Sequence, residues 1–244
     1  MFLPNISLLP KKSNRKIGKA LHDYNMLQQG DRVLLGVSGG VDSSVLAWVL
    51  QSWLAKAPIS YTLKAVYIDN GFWQEEFGGK PPADKISETL AGFDIDCTVV
   101  AARTFEEDEF NCFLCARNRR SQLFDLARDW NMDKIALGHH LDDLIETLFL
   151  NMIYSGNIST MVPKQSLFGG SLHIIRPLAY LEKDNILEIA ERAEIKTVKN
   201  YCPLEKDTRR TEVRNMLAEI YTKEPGAKKS LFQSMKNIRN DYLL

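Results

Sequence analysis

Three stretches of the chain combine residue types and spacing that can do chemistry. The first is Ser38-Gly39-Gly40-Val41-Asp42-Ser43-Ser44. An apolar run, Val33–Val37, leads into it, and Val45-Leu46-Ala47-Trp48-Val49-Leu50 follows. That pattern reads as strand, phosphate-sized loop and helix. Two glycines without Cβ let the backbone take positive φ and lie flat against a ligand. The first helical turn then aims N–H groups outward, with about half a positive charge at the helix N-terminus. Ser38, Ser43 and Ser44 add hydroxyl donors, so an oxyanion such as pyrophosphate fits the nest. The absence of a Gly-Lys-Ser/Thr string excludes a Walker A loop, and the glycine spacing excludes the dinucleotide fingerprint. The plain alternative is a Gly-Ser turn in an ordinary α/β domain.

The second stretch is Cys112-Phe113-Leu114-Cys115, at the mouth of a predicted helix, with Cys202 far along the chain. A lone C-x-x-C serves equally as a redox pair, half a zinc site or part of an iron–sulfur site. A structural zinc needs four ligands, and Cys202 is the remaining cysteine outside a strand. Cys97, inside a predicted strand, reads as a core residue. Three thiolates on a 4Fe-4S cubane leave one iron without a protein ligand, open to sulfide or a substrate. The competing reading is a redox or persulfide-forming pair with Cys202 as partner. The third stretch is Gly138-His139-His140-Leu141-Asp142-Asp143, at the end of another predicted strand. The histidines can carry protons or contact phosphate, or serve only as hydrogen-bonding side chains.

Alternating elements must position these groups. Strands are expected at 33–37, 63–69, 95–100, 134–137 and 172–178. Helices are expected from Ser43 to about Lys56, at 83–93, after Arg120, after Asp143, and at 182–193 and 209–221. Residues 155–164 read as a polar loop. The alternation predicts an α/β fold: a doubly wound parallel sheet with helices on both faces, Rossmann-like. Ligands bind at the carboxyl ends of such strands, which makes Asp69 and Asn70 candidates to line a nucleotide pocket or to serve a turn. Residues 1–30 form a basic helical extension, 31–222 the main domain and 223–244 a helical tail.

The chain has 244 residues, 45% apolar and 25% charged, with formal net charge zero. That balance suits a globular protein with ample core. It offers no global field for nucleic acid, so an RNA partner must use local basic patches. Candidates are Lys11, Lys12, Arg15, Lys16 and Lys19, then Arg117, Arg119 and Arg120, and Arg209, Arg210 and Arg214, each of which also reads as a solvated helix face. No apolar run reaches membrane-spanning length. The lysines follow the apolar start rather than precede it, so no secretion signal is read and a cytoplasmic location is expected. There, four cysteines point to metal or redox chemistry.

Ser38–Ser43 matches the Ser-Gly-Gly-x-Asp-Ser loop of the ATP-pyrophosphatase (PP-loop) superfamily, whose fold is that of the adenine nucleotide α-hydrolases. Over most of its length the chain resembles the tRNA 2-thiocytidine synthetase family of PP-loop enzymes. The likeness includes Gly30-Asp31-Arg32-Val33, Cys112-x-x-Cys115 with the arginines after it, and Ile135-Ala136-Leu137-Gly138-His139-His140-x-Asp142-Asp143. It continues through Glu146-Thr147-Leu148-Phe149-Leu150-Asn151-Met152, Met161-x-Pro163-Lys164, Ile175-Arg176-Pro177-Leu178 and Cys202-Pro203.

The resemblance implies ATP-dependent 2-thiolation of a tRNA base, most naturally cytidine. Ser38, Gly39, Gly40, Asp42, Ser43 and Ser44 would hold ATP, with Asp69, Gly138 and His139 beside it. Asp42, with Asp142 or Asp143, would steer Mg²⁺. The base oxygen would attack the α-phosphate, and Cys112, Cys115 and Cys202 would hold a 4Fe-4S cluster whose open iron delivers sulfide. Sulfur would come from a cysteine desulfurase or free sulfide, and a homodimer would supply further tRNA contacts. Two departures stand out. Val41 replaces the family's usual lysine, as in other PP-loop branches, and Cys202 stands without a second cysteine of a C-x-x-C pair. The alternatives are a cluster-free PP-loop thiolase using a cysteine persulfide, and a non-catalytic nucleotide-binding sensor.

Overall fold

A computed structural model describes residues 5–103, 112–199, 201–203 and 209–242. β1 (Arg32–Val37) is the centre of the sheet. It pairs in parallel with β2 (Thr62–Asp69) on one side and β4 (Lys134–Ala136) on the other. β3 (Cys97–Ala101) lies outside β2 and β6 (Leu172–Ile175) outside β4, both parallel to their neighbours. An edge strand, β5 (Lys164–Leu167), completes the order β3-β2-β1-β4-β6-β5 and runs antiparallel to β6.

That last strand corrects the expectation of an all-parallel sheet. Residues 155–164 were expected to be loop, and Lys164-Gln165-Ser166-Leu167 carries little of the apolar alternation that marks a strand. An edge strand needs little: one side pairs with β6, and a polar sequence suits the other side, which has no neighbour. The remaining strands fall within a few residues of their predicted positions.

Alternation along β1 explains the layers. Val33, Leu35 and Val37 point into one core, while Leu34 points into another. The first core receives Val45, Leu46 and Val49 of α2 (Val41–Leu54), Ile86 and Leu90 of α3 (Pro82–Ala91), and Ile186 and Ile189 of α6 (Lys183–Arg192). The second receives Ala127 of α4 (Cys112–Asp129), with Leu123 and Leu126 packed beside it. Helices therefore cover both faces, as expected. α2 is buried without a break from Ser43 to Ser52, so the phosphate-loop helix is a core element that cannot tilt freely.

The basic helix α1 (Lys11–Asp23) is docked into this body. Ile17, Ala20 and Leu21 join the first core, and Lys16 Nζ donates to Asn185 Oδ1 of α6 at 3.0 Å. Lys11, Lys12 and Arg15 remain exposed. At the other end, α5 (Leu141–Tyr154) packs Leu141 and Ile145 against Val213 and Leu217 of α7 (Arg209–Lys223). α8 (Ala227–Ser234) closes that cluster through Leu231 and Phe232.

The pairing of β1 with β4 positions the site. In strand order this is where chain direction reverses across the sheet, so the loops after β1 and β4 open a crevice between them. Arg32 fixes the bottom of that pair. Its Nη2 and Nε donate to the two carboxylate oxygens of Asp133 at 2.9 and 3.0 Å, and its backbone N–H donates to Asp133 Oδ2 at 2.9 Å. Among the described residues no helix is long and apolar enough to cross a membrane.

Candidate nucleotide and thiol site

A cavity of about 600 Å³ opens at the carboxyl ends of β1, β2 and β4. Ser38, Gly40, Asp42 and Ser43 form one wall, and Asp69 and Asn70 another. Gly138, His139 and Asp143 come from the β4–α5 connection, while Arg119, Arg120 and Arg210 arrive from α4 and α7. Clustered backbone N–H groups and three guanidiniums make this a site for an anion.

The loop is held in shape by its own side chains. Ser43 Oγ donates to the Gly40 carbonyl at 3.0 Å and accepts the Ser38 N–H at 3.2 Å. Gly39 has φ +77, and an added Cβ would stand 2.8 Å from Ile86 Cδ1 and 3.1 Å from Val198 Cβ. Its carbonyl accepts the Val198 N–H at 2.9 Å. Gly39 therefore serves the turn and its packing and does not line the cavity. Ser44, expected beside the ligand, is buried within α2 instead. Gly138 is required for close approach: a Cβ there would lie 2.8 Å from the Asp42 carbonyl carbon and 2.9 Å from the Ser43 nitrogen. Asp69 fulfils both expected roles, lining the cavity and accepting the Gly71 N–H at 2.9 Å.

The two histidines have opposite surroundings. His140, 5% exposed, is ringed by carboxylates. Its Nδ1 lies 3.3 Å from Asp142, and its Nε2 lies 3.4 Å from Asp143 and 3.6 Å from Asp42. Burial alone would lower its pKa, but Asp142, Asp143 and Asp42 outweigh that and hold it above the ordinary value. His139 is pushed down to about 3 by burial first, then by Arg176 and Arg210. It is a neutral ring at physiological pH, which sets aside the expectation of a proton carrier at this position.

Asp142 also departs from expectation. It turns away from the nucleotide cavity into a second pocket of about 370 Å³. There it accepts the Lys183 N–H at 2.9 Å and pairs with Lys228 Nζ at 2.7 Å. Burial opposes ionisation, yet His140 and Lys228 hold this carboxyl well below the usual range. Asp42 and Asp143 stand on the wall shared by both spaces. Asp42 pairs with Lys183 Nζ at 2.6 Å, and Asp143 with Arg210 at 3.5 Å.

Two thiol-bearing segments reach the same cavity, through Ala116 next to Cys115 and Tyr201 next to Cys202. Cys115 is buried one turn into α4, and its Sγ donates to Asn70 Oδ1 at 3.8 Å. Cys112 is exposed at the start of the helix. Cys202 follows Tyr201, a cavity residue whose ring stacks on Phe77 with centroids 5.3 Å apart. None of these cysteines forms a disulfide. Among the described residues no three Cys, His, Asp or Glu side chains are gathered as a metal-ligand set. As donors, three soft thiolates suit an iron–sulfur group rather than Mg²⁺. Cys97 lies on β3, half-buried, with its thiol pushed up by burial, in keeping with a core role.

The PP-loop domain model matches residues 9–220. The chain belongs to the PP-loop family. It is 36% identical to a tRNA-cytidine(32) 2-sulfurtransferase of Aliivibrio salmonicida (strain LFI1238), over 98% of this chain and 78% of that protein. It is 33% identical to another of that name from Geotalea uraniireducens (strain Rf4), over 94% and 92%. Among solved structures, the U34-tRNA thiolase NcsA from Methanococcus maripaludis, with its [4Fe-4S] cluster, superposes with a TM-score of 0.75 at 25% identity. That superposition covers 93% of this chain and 77% of that one.

Within the PP-loop frame, several residues that the motif reading passed over carry the site. Lys183 holds Asp42, Glu146 binds Arg214 at 2.9 Å, and Arg176 donates to His139. Val198 and Tyr201 bring the segment before Cys202 onto the phosphate loop. Glu146 and Arg176 lie inside the family strings, which was a usable signal. Lys183, Val198 and Tyr201 had none, because their roles depend on which helix or loop packs there. Of the predicted arginines, Arg119, Arg120 and Arg210 reach the cavity. Arg117 is exposed outside its lining, Arg209 stacks over Tyr154, and Arg214 pairs with Glu146.

Proposed function

We propose that the protein is an ATP-dependent tRNA sulfurtransferase that 2-thiolates a cytidine, using an iron–sulfur cluster. The carrying observation is that the phosphate loop and two thiol-bearing segments meet at one cavity: Cys115 bonds Asn70, and Tyr201 beside Cys202 lines the wall. The names of the relatives and the clustered thiolase fold support the same reading.

In this reading the N–H groups at the start of α2 and the Ser38 hydroxyl bind the pyrophosphate portion of ATP. Asp42 and Asp143 would hold Mg²⁺ at the shared wall, where a hard cation prefers carboxylate oxygen. The base carbonyl oxygen attacks the α-phosphorus, the bond to the bridging oxygen breaks, and pyrophosphate leaves against the loop. Arg119, Arg120 and Arg210 offset the negative charge that builds on the phosphates. This converts the base oxygen into an AMP leaving group. Cys112, Cys115 and Cys202 would hold the cluster, which when bound supplies a site for the incoming sulfur. The sulfur donor is a desulfurase or free sulfide, the setting is cytoplasmic, and a second copy of the chain contributes to tRNA binding.

One observation favours a second reading. Because the described residues gather no three-ligand set, a cluster-free thiolase that forms a persulfide on one of these cysteines is the competitor. Anaerobic purification tests both. A brown protein absorbing near ~400 nm is expected for the cluster, with pyrophosphate released from ATP only when tRNA is present. A colourless protein that still thiolates tRNA selects the persulfide, and absence of pyrophosphate release rejects the enzyme altogether. Mass spectrometry of the tRNA nucleosides identifies the base.

A further inference from the structure

Arg176 follows β6 and is 4% exposed. A buried guanidinium is costly unless an acid neutralises it. Arg176 forms no ion pair with the described residues. Asp143 lends it a favourable field, and Arg120 opposes. Among the described residues its guanidinium donates to the Val162 carbonyl through Nη1 at 2.5 Å and to His139 Nδ1 through Nε at 3.3 Å.

The second contact has a chemical consequence. A guanidinium N–H only donates, so His139 Nδ1 must accept with its lone pair. A neutral imidazole with a lone pair on Nδ1 carries its hydrogen on Nε2. Arg176 lies behind the ring and does not line the nucleotide cavity, whereas His139 does. The Nε2 edge is thus the polar edge left for the cavity. Asp42, Asp69 and Asp143 line the cavity with this ring, but the charges that act on it most come from four elements: Arg176 after β6, Arg210 on α7, Arg120 on α4 and His140 at the start of α5. All are cations or can become so, and each opposes a second proton on His139.

We propose that Arg176 is a positioning residue, which locks His139 as the Nε2–H tautomer so that the ring offers a fixed neutral donor to an oxyanion of the bound nucleotide. The assignment of a nucleotide to this cavity rests on the function proposed above; the tautomer does not. The arrangement suits an anion site. A neutral N–H donor adds a directed hydrogen bond without a proton that can be lost to the leaving phosphate.

The test is ¹⁵N NMR of protein labelled at its histidines, His22, His139, His140 and His173, with His139→Gln supplying the assignment. Between about pH 5 and 8, where an ordinary imidazole titrates, His139 is expected to remain neutral with the hydrogen on Nε2. In Arg176→Gln the ring should become a tautomer mixture while burial still keeps it neutral, and Arg176→Lys, which keeps a donor-only cation, should restore the wild-type pattern at least in part. A wild-type ring protonated at pH 6, or carrying its hydrogen on Nδ1, overturns the proposal, and so does a folded Arg176→Gln protein with an unchanged spectrum. The wild-type spectrum decides the tautomer even if that variant does not fold. A non-hydrolysable ATP analogue is then added, with its binding followed separately by equilibrium dialysis. A shift of the His139 Nε2 signal is expected, and a bound analogue without such a shift overturns the donor role. An analogue that does not bind rejects the nucleotide reading and leaves the tautomer to stand or fall by the free-protein spectrum.

Discussion

Around Ser38–Ser43 the chain supplies its own scaffold: a hydroxyl closes the turn, Gly138 packs against the Asp42 carbonyl, and Val198 pins Gly39. Around Cys112, Cys115 and Cys202 the segments converge on the same cavity, but no ligand set is assembled among the described residues. The contrast is the one that the proposed ligands would produce. Backbone N–H groups are neutral dipoles, so an anion nest can be built in full before its ligand arrives. Thiolates repel one another and favour water until a metal group neutralises them, so a soft-metal site is completed by its own cargo. One region is preorganised by packing; the other has no ligand set assembled among the described residues.

The sharpest way to break this contrast is to disable each half separately. Asp42→Ala should lower pyrophosphate release by about 10²–10³-fold, in the range expected when a transition-state stabilising group is lost, while the ~400 nm absorbance persists. Cys202→Ala should do the reverse, keeping ATP binding and losing both colour and thiolation. If either variant loses both properties while folded, the two regions are not independent.

Preorganisation itself is tested at Gly138. An alanine Cβ would meet backbone rather than a movable side chain, so Gly138→Ala should cost roughly 1–3 kcal/mol as overpacking. Denaturant unfolding measures the cost, and a matching fall in ATP affinity ties it to the loop. A variant with wild-type stability and affinity would show that the close approach is not needed.

The carboxylate ring predicts a pH effect, measured without Mg²⁺. His140 has a folded pKa above its unfolded value of about 6.5. Its contribution is therefore fully present below about pH 6.5 and is lost as pH rises through the folded value. Asp142 has the opposite sign: its folded pKa is depressed, so its contribution is present above about pH 4 and is lost as pH falls through the folded value. Stability should thus fall at both ends, and His140→Gln should remove the loss on the alkaline side. An unchanged alkaline limb in that variant counts against a charged His140. The smallest effect is expected at Arg117. Arg117→Ala should change ATP-dependent turnover by no more than about threefold, against a loss of about tenfold or more for Arg119→Ala in the cavity wall.

The strand–loop–helix around Gly39 and Gly40 was legible because local rules suffice there. Backbone freedom, a helix N-terminus and short hydroxyls are all specified within a few residues. The same holds for most of the parallel sheet, whose buried strands announce themselves as apolar runs. β5 was not legible, since an edge strand with one partner needs no apolar pattern. Asp142 and Asp143 are adjacent in sequence, yet one faces the nucleotide cavity and the other Lys228, because helical geometry turns successive side chains about 100° apart. His139 and His140 look equivalent in the string, yet burial and Arg176 hold the pKa of His139 down while three carboxylates hold that of His140 up.

The sequence by itself determined the family, the phosphate loop and the identities of the thiols, since these depend on residue type and short spacing. The packed fold was needed to set which wall each side chain faces, that Ser44 and Gly39 serve packing, and that the pKa values of two adjacent histidines are pushed in opposite directions. Those outcomes depend on burial and on the fields of residues distant in the chain, which act through space and leave no trace in local sequence.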